Sequence, residues 1–169
     1  VAENPNTPEE ALQQLALENR GTGVRQRVAE NPNTPETLLQ QLALDRDEDV
    51  RGKVAENPNT PEEALQQLAL ENRGTGVRQR VAENPNTPET LLQQLALDRD
   101  EDVRGKVAEN PSTPEALLQK LALHEDEDVR WKVASNPSTP EALLQKLALD
   151  KNWLVGYKAK KTLRRKGLL

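Results

Sequence analysis

Residues 28–51, VAENPNTPETLLQQLALDRDEDVR, decide the reading of this 169-residue chain. The phrase VAxNPxTP that opens them begins at Val1, Val28, Val54, Val81, Val107 and Val133, at spacings of 27, 26, 27, 26 and 26 residues. A period of that length marks stacked supersecondary units. Residues 1–53 and 54–106 are identical, so the module in this part is a pair of units. One carries the connector ENRGTG at residues 18–23, the other DRDED at residues 45–49. Independent drift blurs duplicated repeats; a 53-residue copy without one change points to design or engineering, with a very recent duplication as the alternative. The units are residues 1–27, 28–53, 54–80, 81–106, 107–132 and 133–150, followed by a capping helix at 151–169, and all are assigned to one repeat domain, 1–169.

Each unit encodes two short helices. In the second unit Thr34 is placed to cap the first helix. Pro35 takes the first helical position, where its missing N–H costs nothing, and Glu36 complements the positive end of the dipole. Leu38, Leu39, Leu42 and Ala43 recur at helical spacing, which predicts a helix over about residues 35–44 with those four inward. Glu10 and Glu63, three residues after Thr7 and Thr60, predict a capping box in the first and third units. The second helix begins in the acidic connector. Asp47 caps it, Glu48 and Asp49 fill its first turn, and Val50, Val54 and Ala55 form a narrow apolar stripe. It ends near Glu56, because the residue before Pro58 is driven out of the α region. Helices this short are marginal alone, so each unit must bury its leucines and valines against neighbours on both sides, in an all-α solenoid.

Composition agrees with a thin, regular core. Hydrophobic residues make up 34% of the chain, Phe, Met and Cys are absent, and the aromatics are Trp131, Trp153 and Tyr157. Without cysteine there is no disulfide, thiolate metal site or cysteine nucleophile, and the redox compartment stays open. No apolar run approaches the roughly 20 residues that span a bilayer. The chain reads as soluble, with no membrane partner, and as cytoplasmic if natural. Charge is uneven: residues 1–132 carry 26 acidic and 15 basic side chains, a net −11, while residues 133–169 carry 2 acidic and 8 basic, a net +6.

The VAxNPxTP phrase, the leucines that follow it, and Val50-Arg51 after the acidic connector together resemble the leucine-rich repeat variant family, over nearly the whole chain. The resemblance implies a right-handed α-solenoid superhelix of six repeats, each a longer α-helix plus a short, partly 3₁₀ helix, with no sheet. It implies little about activity, since functions in the family are mostly unassigned. Members can carry an iron–sulfur cluster on a cysteine-bearing N-terminal segment. This sequence has no cysteine, so that property does not carry over, and no cofactor is expected. HEAT-like repeats are longer and lack the NPxTP corner.

Several constellations invite a functional reading. The asparagines Asn4, Asn31, Asn57, Asn84, Asn110 and Asn136 could form a recognition ladder, but asparagine before a stiff proline turn more simply satisfies free backbone groups. Arg25, Arg51, Arg78, Arg104 and Arg130 could hold phosphates; Asp49, Asp102 and Asp128, two residues earlier, and the other connector acids favour pairing instead. Asp45, Asp47, Asp49 and Glu56 partly mimic a calcium loop, yet the sixth position, which needs Gly, is Val50. They read as helix-capping acids. His124 stands alone, without Cys, Ser or a second His, and Gly21-Thr22-Gly23 lacks the context of a phosphate loop. No catalytic, cofactor-binding or metal-binding residue is assigned, and no enzymatic activity is expected.

The pattern breaks after Asp150. A helix is predicted over about residues 152–166, with Leu154, Val155, Ala159 and Leu163 inward. Trp131 and Tyr157 occupy the slot held by Gln26, Gly52, Gln79 and Gly105 and are expected side by side. With Lys158, Lys161, Arg164 and Arg165 they form a candidate binding surface for an anion or nucleic acid, against the plainer reading of a cap. The function expected is a non-catalytic repeat scaffold, suited to protein–protein binding through a concave surface bearing Gln40, Gln41, Gln93, Gln94, Gln119 and Lys120. The alternative is a nucleic-acid-binding or anion-binding solenoid using the basic, aromatic C-terminal end. The acidic repeats argue against nucleic acid elsewhere. An apolar edge at the acidic Val1 end and a basic opposite end lead to an expectation of head-to-tail self-association.

Overall fold

Local chemistry at the NPxTP corner sets both helices of each repeat. The structure is a computed structural model that describes residues 1–18, 21–71 and 74–169; residues 19–20 and 72–73 of the two ENRGTG connectors, and the side chain of Glu71, lie outside the described residues. Among the described residues there are twelve α-helices and no strand. The first helices of the repeats are α1 (Glu9–Leu17), α3 (Glu36–Leu42), α5 (Glu62–Glu71), α7 (Glu89–Leu95), α9 (Glu115–Leu121) and α11 (Glu141–Leu147). The second helices are α2 (Thr22–Glu30), α4 (Glu48–Glu56), α6 (Thr75–Glu83), α8 (Glu101–Glu109) and α10 (Glu127–Ser135), and α12 (Trp153–Arg165) ends the series.

The helix boundaries differ from the sequence expectation in an instructive way. Thr34 does not cap α3. The cap position is Pro35, in extended backbone, and the Thr34 hydroxyl points backward to donate to the carbonyl of Val28. Thr60, Thr87, Thr113 and Thr139 make the same bond to Val54, Val81, Val107 and Val133. Thr7 likewise donates to Val1, and α1 begins after Pro8, so the capping box expected of Thr7 with Glu10 gives way to a hydroxyl that ties back to the turn before α1. The threonine therefore supplies a second donor to a valine carbonyl that already accepts the N–H of the corner asparagine.

Three-residue hydrogen bonds flank the first helix: Leu38 N–H to Pro35, Leu44 N–H to Gln41 and Asp45 N–H to Leu42. The second helix closes with such a bond too, Asn31 N–H to Val28 and Asn57 N–H to Val54, so 3₁₀ character sits at the ends of both. At nine residues α4 exceeds the seven of α3, whereas α5, at ten, exceeds the nine of α6. Asp47 caps α4 by accepting from the N–H groups of Asp49 and Val50 at 3.0 and 3.3 Å. Asp100 does the same for α8. In contrast, α2 and α6 start at Gly21 and Gly74 with no side-chain cap.

The chain forms two compact units, Val1–Thr87 and Pro88–Leu169. In the first, α2 packs on α4 and α4 on α6. In the second, α8 packs on α10 and α10 on α12, with α11 also against α12. The core is the predicted one: Leu38, Leu39, Leu42 and Ala43 are buried, and Val50, Val54 and Ala55 are fully so. No helix among the described residues is long and apolar enough to cross a membrane.

Candidate functional site

The buried asparagines join one repeat to the next. Asn57 donates from Nδ2 to the carbonyls of Ala29 (2.7 Å) and Asn31 (3.0 Å), one repeat earlier. Its Oδ1 accepts the N–H of Asn59 at 2.9 Å. Asn31 repeats this on Ala2 and Asn4, Asn84 on Ala55 and Asn57, and Asn136 on Ala108 and Asn110. With both amide hydrogens donated and the oxygen accepting in a buried position, these side chains offer a ligand no donor. In α12 the corresponding slot is Thr162, whose hydroxyl donates to Ala134 at 2.7 Å. The asparagine ladder is a set of staples.

The arginine ladder is likewise structural, and its pairing runs between repeats. Arg25 pairs with Asp45 of the following repeat (Nε to Oδ2, 2.6 Å), and Arg130 with Asp150 (2.8 Å). Both pairs are buried, and both are bidentate, with Nη2 reaching Oδ1. Each carboxylate also accepts a backbone N–H, from Asp47 or Asn152. Burial pushes Asp45 up, but the Arg25 hydrogen bond and the Asp47 N–H outweigh it and hold the carboxyl below its usual range. At Asp150 the Arg130 hydrogen bond dominates, in the same direction. Arg25 and Arg130 are raised by their partners. With Asp45 and Asp47 thus engaged, the calcium-like spacing is spent on ion pairing and caps; no group of three His, Cys, Asp or Glu among the described residues is placed to hold a metal.

His124 takes the aspartate slot in this series. Arg104 Nε lies 3.0 Å from its Nε2, and the N–H of Asp126 lies 3.0 Å from its Nδ1. A neutral imidazole has one acceptor nitrogen, not two. This rung therefore lacks one of the bonds a carboxylate would make.

A third row explains the C-terminal candidate residues. Lys53 pairs with Glu30 and Arg80 with Glu56, each from one repeat to the one before, at 2.5 and 2.7 Å. Arg80 and Lys132 cross the preceding repeat where Gly52 and Gly105 stand; a Cβ on Gly105 would come within 2.5 Å of Lys132 Nζ. In the last full repeat the glutamate slot is Ser135 and the glycine slot is Trp131, and Lys158 lies over the Trp131 ring, 4.6 Å from its centroid. A cation–π contact stands in for the ion pair. Trp131 and Lys158 are half-buried in this rung.

The other candidates lie elsewhere. Tyr157, Lys161, Arg164 and Arg165 are exposed on α12. Trp153, 73% exposed, joins them, whereas Leu154, expected inward, is 47% exposed. Val155, Ala159 and Leu163 are buried as expected. Trp131 and Lys158 are thus half-buried against each other, while the remaining candidates are exposed.

One feature was not read from the sequence. Leu17, Leu44, Leu70, Leu97, Leu123 and Leu149, one per repeat, are 62–86% exposed. Each follows a Leu-Ala pair, and on a helical wheel Leu44 lies about 170° from the centre of the buried arc, so the pattern did contain the signal. Between α1 and α3 a cleft of about 190 Å³ is lined by Gln13, Leu17, Thr37, Leu38 and Gln41.

Comparison with known proteins follows this geometry. Residues 76–131 match the family model of the leucine-rich repeat variant domain, and residues 76–106 repeat residues 23–53 without change. The chain has the fold of a leucine-rich repeat variant. A solved structure described as a leucine-rich repeat variant with a novel repetitive structural motif is similar over 96% of this chain, at 26% identity and a TM-score of 0.68. The present chain spans 64% of that chain's length. A crystal structure described as an engineered protein aligns over 92% of this chain and 94% of its own, at 17% identity and a TM-score of 0.48. No curated protein matches.

Proposed function

We propose that this chain is a non-catalytic scaffold that binds a protein partner through the face of its first helices. The exposed leucine row carries the reading. Isolated surface leucines are ordinary, but one at the same register in every repeat makes a contiguous apolar track within each unit, and tracks of that kind mark interaction surfaces. Neighbouring packed helices stand about 8–10 Å apart, close to the span of three residues in an extended chain, so the track suits a partner with apolar side chains at that spacing. The amides of Gln13 and Gln41 beside Leu17 supply hydrogen bonds without adding charge. An identical 53-residue duplication supports an engineered origin, in which regular repetition is itself the purpose.

The test is selection from a displayed peptide library on the native chain and on a variant with Leu97, Leu123 and Leu149 changed to Gln. Enrichment of one sequence class on the native chain and none on the variant is the expected result. Equal enrichment on both proteins removes the leucine track as the binding face.

A further inference from the structure

Helix α12 has an outer face that packing of the repeats does not use. Val155, Ala159, Thr162 and Leu163 turn into the unit. Trp153, Tyr157, Lys160, Lys161, Arg164 and Arg165 are exposed. At 3.6 residues per turn, Trp153, Tyr157, Lys160 and Arg164 fall within an arc of about 60° and along roughly 16 Å of helix. Residues 151–169 carry seven basic side chains and no acidic one, against 28 acidic and 16 basic in residues 1–150.

We propose that this face binds single-stranded nucleic acid without sequence preference, bases stacking on Trp153 and Tyr157 while phosphates meet Lys160, Lys161, Arg164 and Arg165. Two flat aromatic surfaces one turn apart, interleaved with cations, are the elements of a sequence-tolerant stacking platform. The helix dipole accounts for Arg164 and Arg165 in the last turn, but not for Lys160 or for the exposed Trp153. An anionic bilayer fits less well, because interfacial helices insert a broad apolar face and the apolar face of α12 is already buried. An acidic protein would use the cations and leave the aromatic pair without a role. Trp131 and Lys158 are engaged with each other and are not part of this face. The leucine track is a separate surface, and this inference does not depend on it.

The experiment uses the full chain and a fluorescein-labelled oligothymidylate of about 12 nucleotides, followed by anisotropy across salt concentrations. Four phosphate contacts give an expected slope of log affinity on log salt of about −3. W153A and Y157A are each expected to weaken binding about tenfold, the usual effect of losing one stacked base. K160E/K161E/R164E should abolish it, while R46E and R99E, at exposed arginines outside α12, leave it in place. All these side chains are exposed, so thermal melts should stay unchanged and separate binding from folding. Absence of binding at low salt, or aromatic variants that bind as the native chain does, overturns the proposal. Equal competition by a polyglutamate peptide also overturns it, in favour of an acidic protein partner.

Discussion

At the residue scale, each repeat is held to the next by groups whose hydrogen-bonding capacity is filled. Among the described residues no buried side-chain nitrogen or oxygen is left without a partner. Asn57 shows what this is worth. Asn57→Ala frees the buried Ala29 carbonyl and the Asn59 N–H and leaves the Asn31 carbonyl with only the Thr34 N–H; a loss of about 3 kcal/mol is expected from the cost of unpaired buried groups, measured by urea unfolding at neutral pH. His124 runs the other way. Its ring faces two N–H donors with one acceptor nitrogen, whereas Asp150 answers the Arg130 fork and the Asn152 N–H together. His124→Asp should therefore stabilise the chain by about 1–2 kcal/mol, seen as a rise of several degrees in Tm.

At the scale of elements, the second helices depend on carboxylates for both caps and inter-repeat pairing. Asp45 and Asp150 have folded-state values lowered from 3.8 by their arginines. A lowered folded value contributes stability that is fully present above the unfolded value and is lost as pH falls through the folded one. Acid should therefore erode the native chain below about pH 4, where these carboxylates protonate. The D45N/D150N double variant should be less stable at pH 7 and show a flatter decline in acid, read from urea midpoints across that range. The prolines of NPxTP shape the same elements without titrating, ending one helix and starting the next.

At the scale of the whole molecule, the repeated 53-residue module makes the chain divisible. Deleting residues 54–106 joins Lys53 to Val107 and recreates the Gly-Lys-Val junction already present at residues 105–107. The shortened protein should fold, with a smaller urea m-value and lower stability because fewer neighbouring interfaces remain. Circular dichroism and urea titration check this; an unfolded product would mean that the copies are not interchangeable. The charge contrast between residues 1–150 and 151–169 belongs to this scale too, since it sets a basic segment against an acidic remainder.

The sequence by itself determined the all-helical class, the repeat boundaries, the inward leucines and valines, and the Asp47 cap, because each follows from periodicity or from bonds made within a few residues. Asn57, Thr34 and Arg25 were legible as structural residues, but their partners were not. Those partners lie in the neighbouring repeat for Asn57 and Arg25, and in the preceding helix for Thr34, and such bonds exist only once the repeats have packed. Packing also decided the fate of the aromatic residues. Trp131 and Tyr157 share a slot in sequence, but Lys158 covers Trp131, while the turn of α12 carries Tyr157 outward with Trp153. Which side chains are consumed by a neighbour, and which remain for a ligand, is a property of contacts 20 to 29 residues apart in the chain.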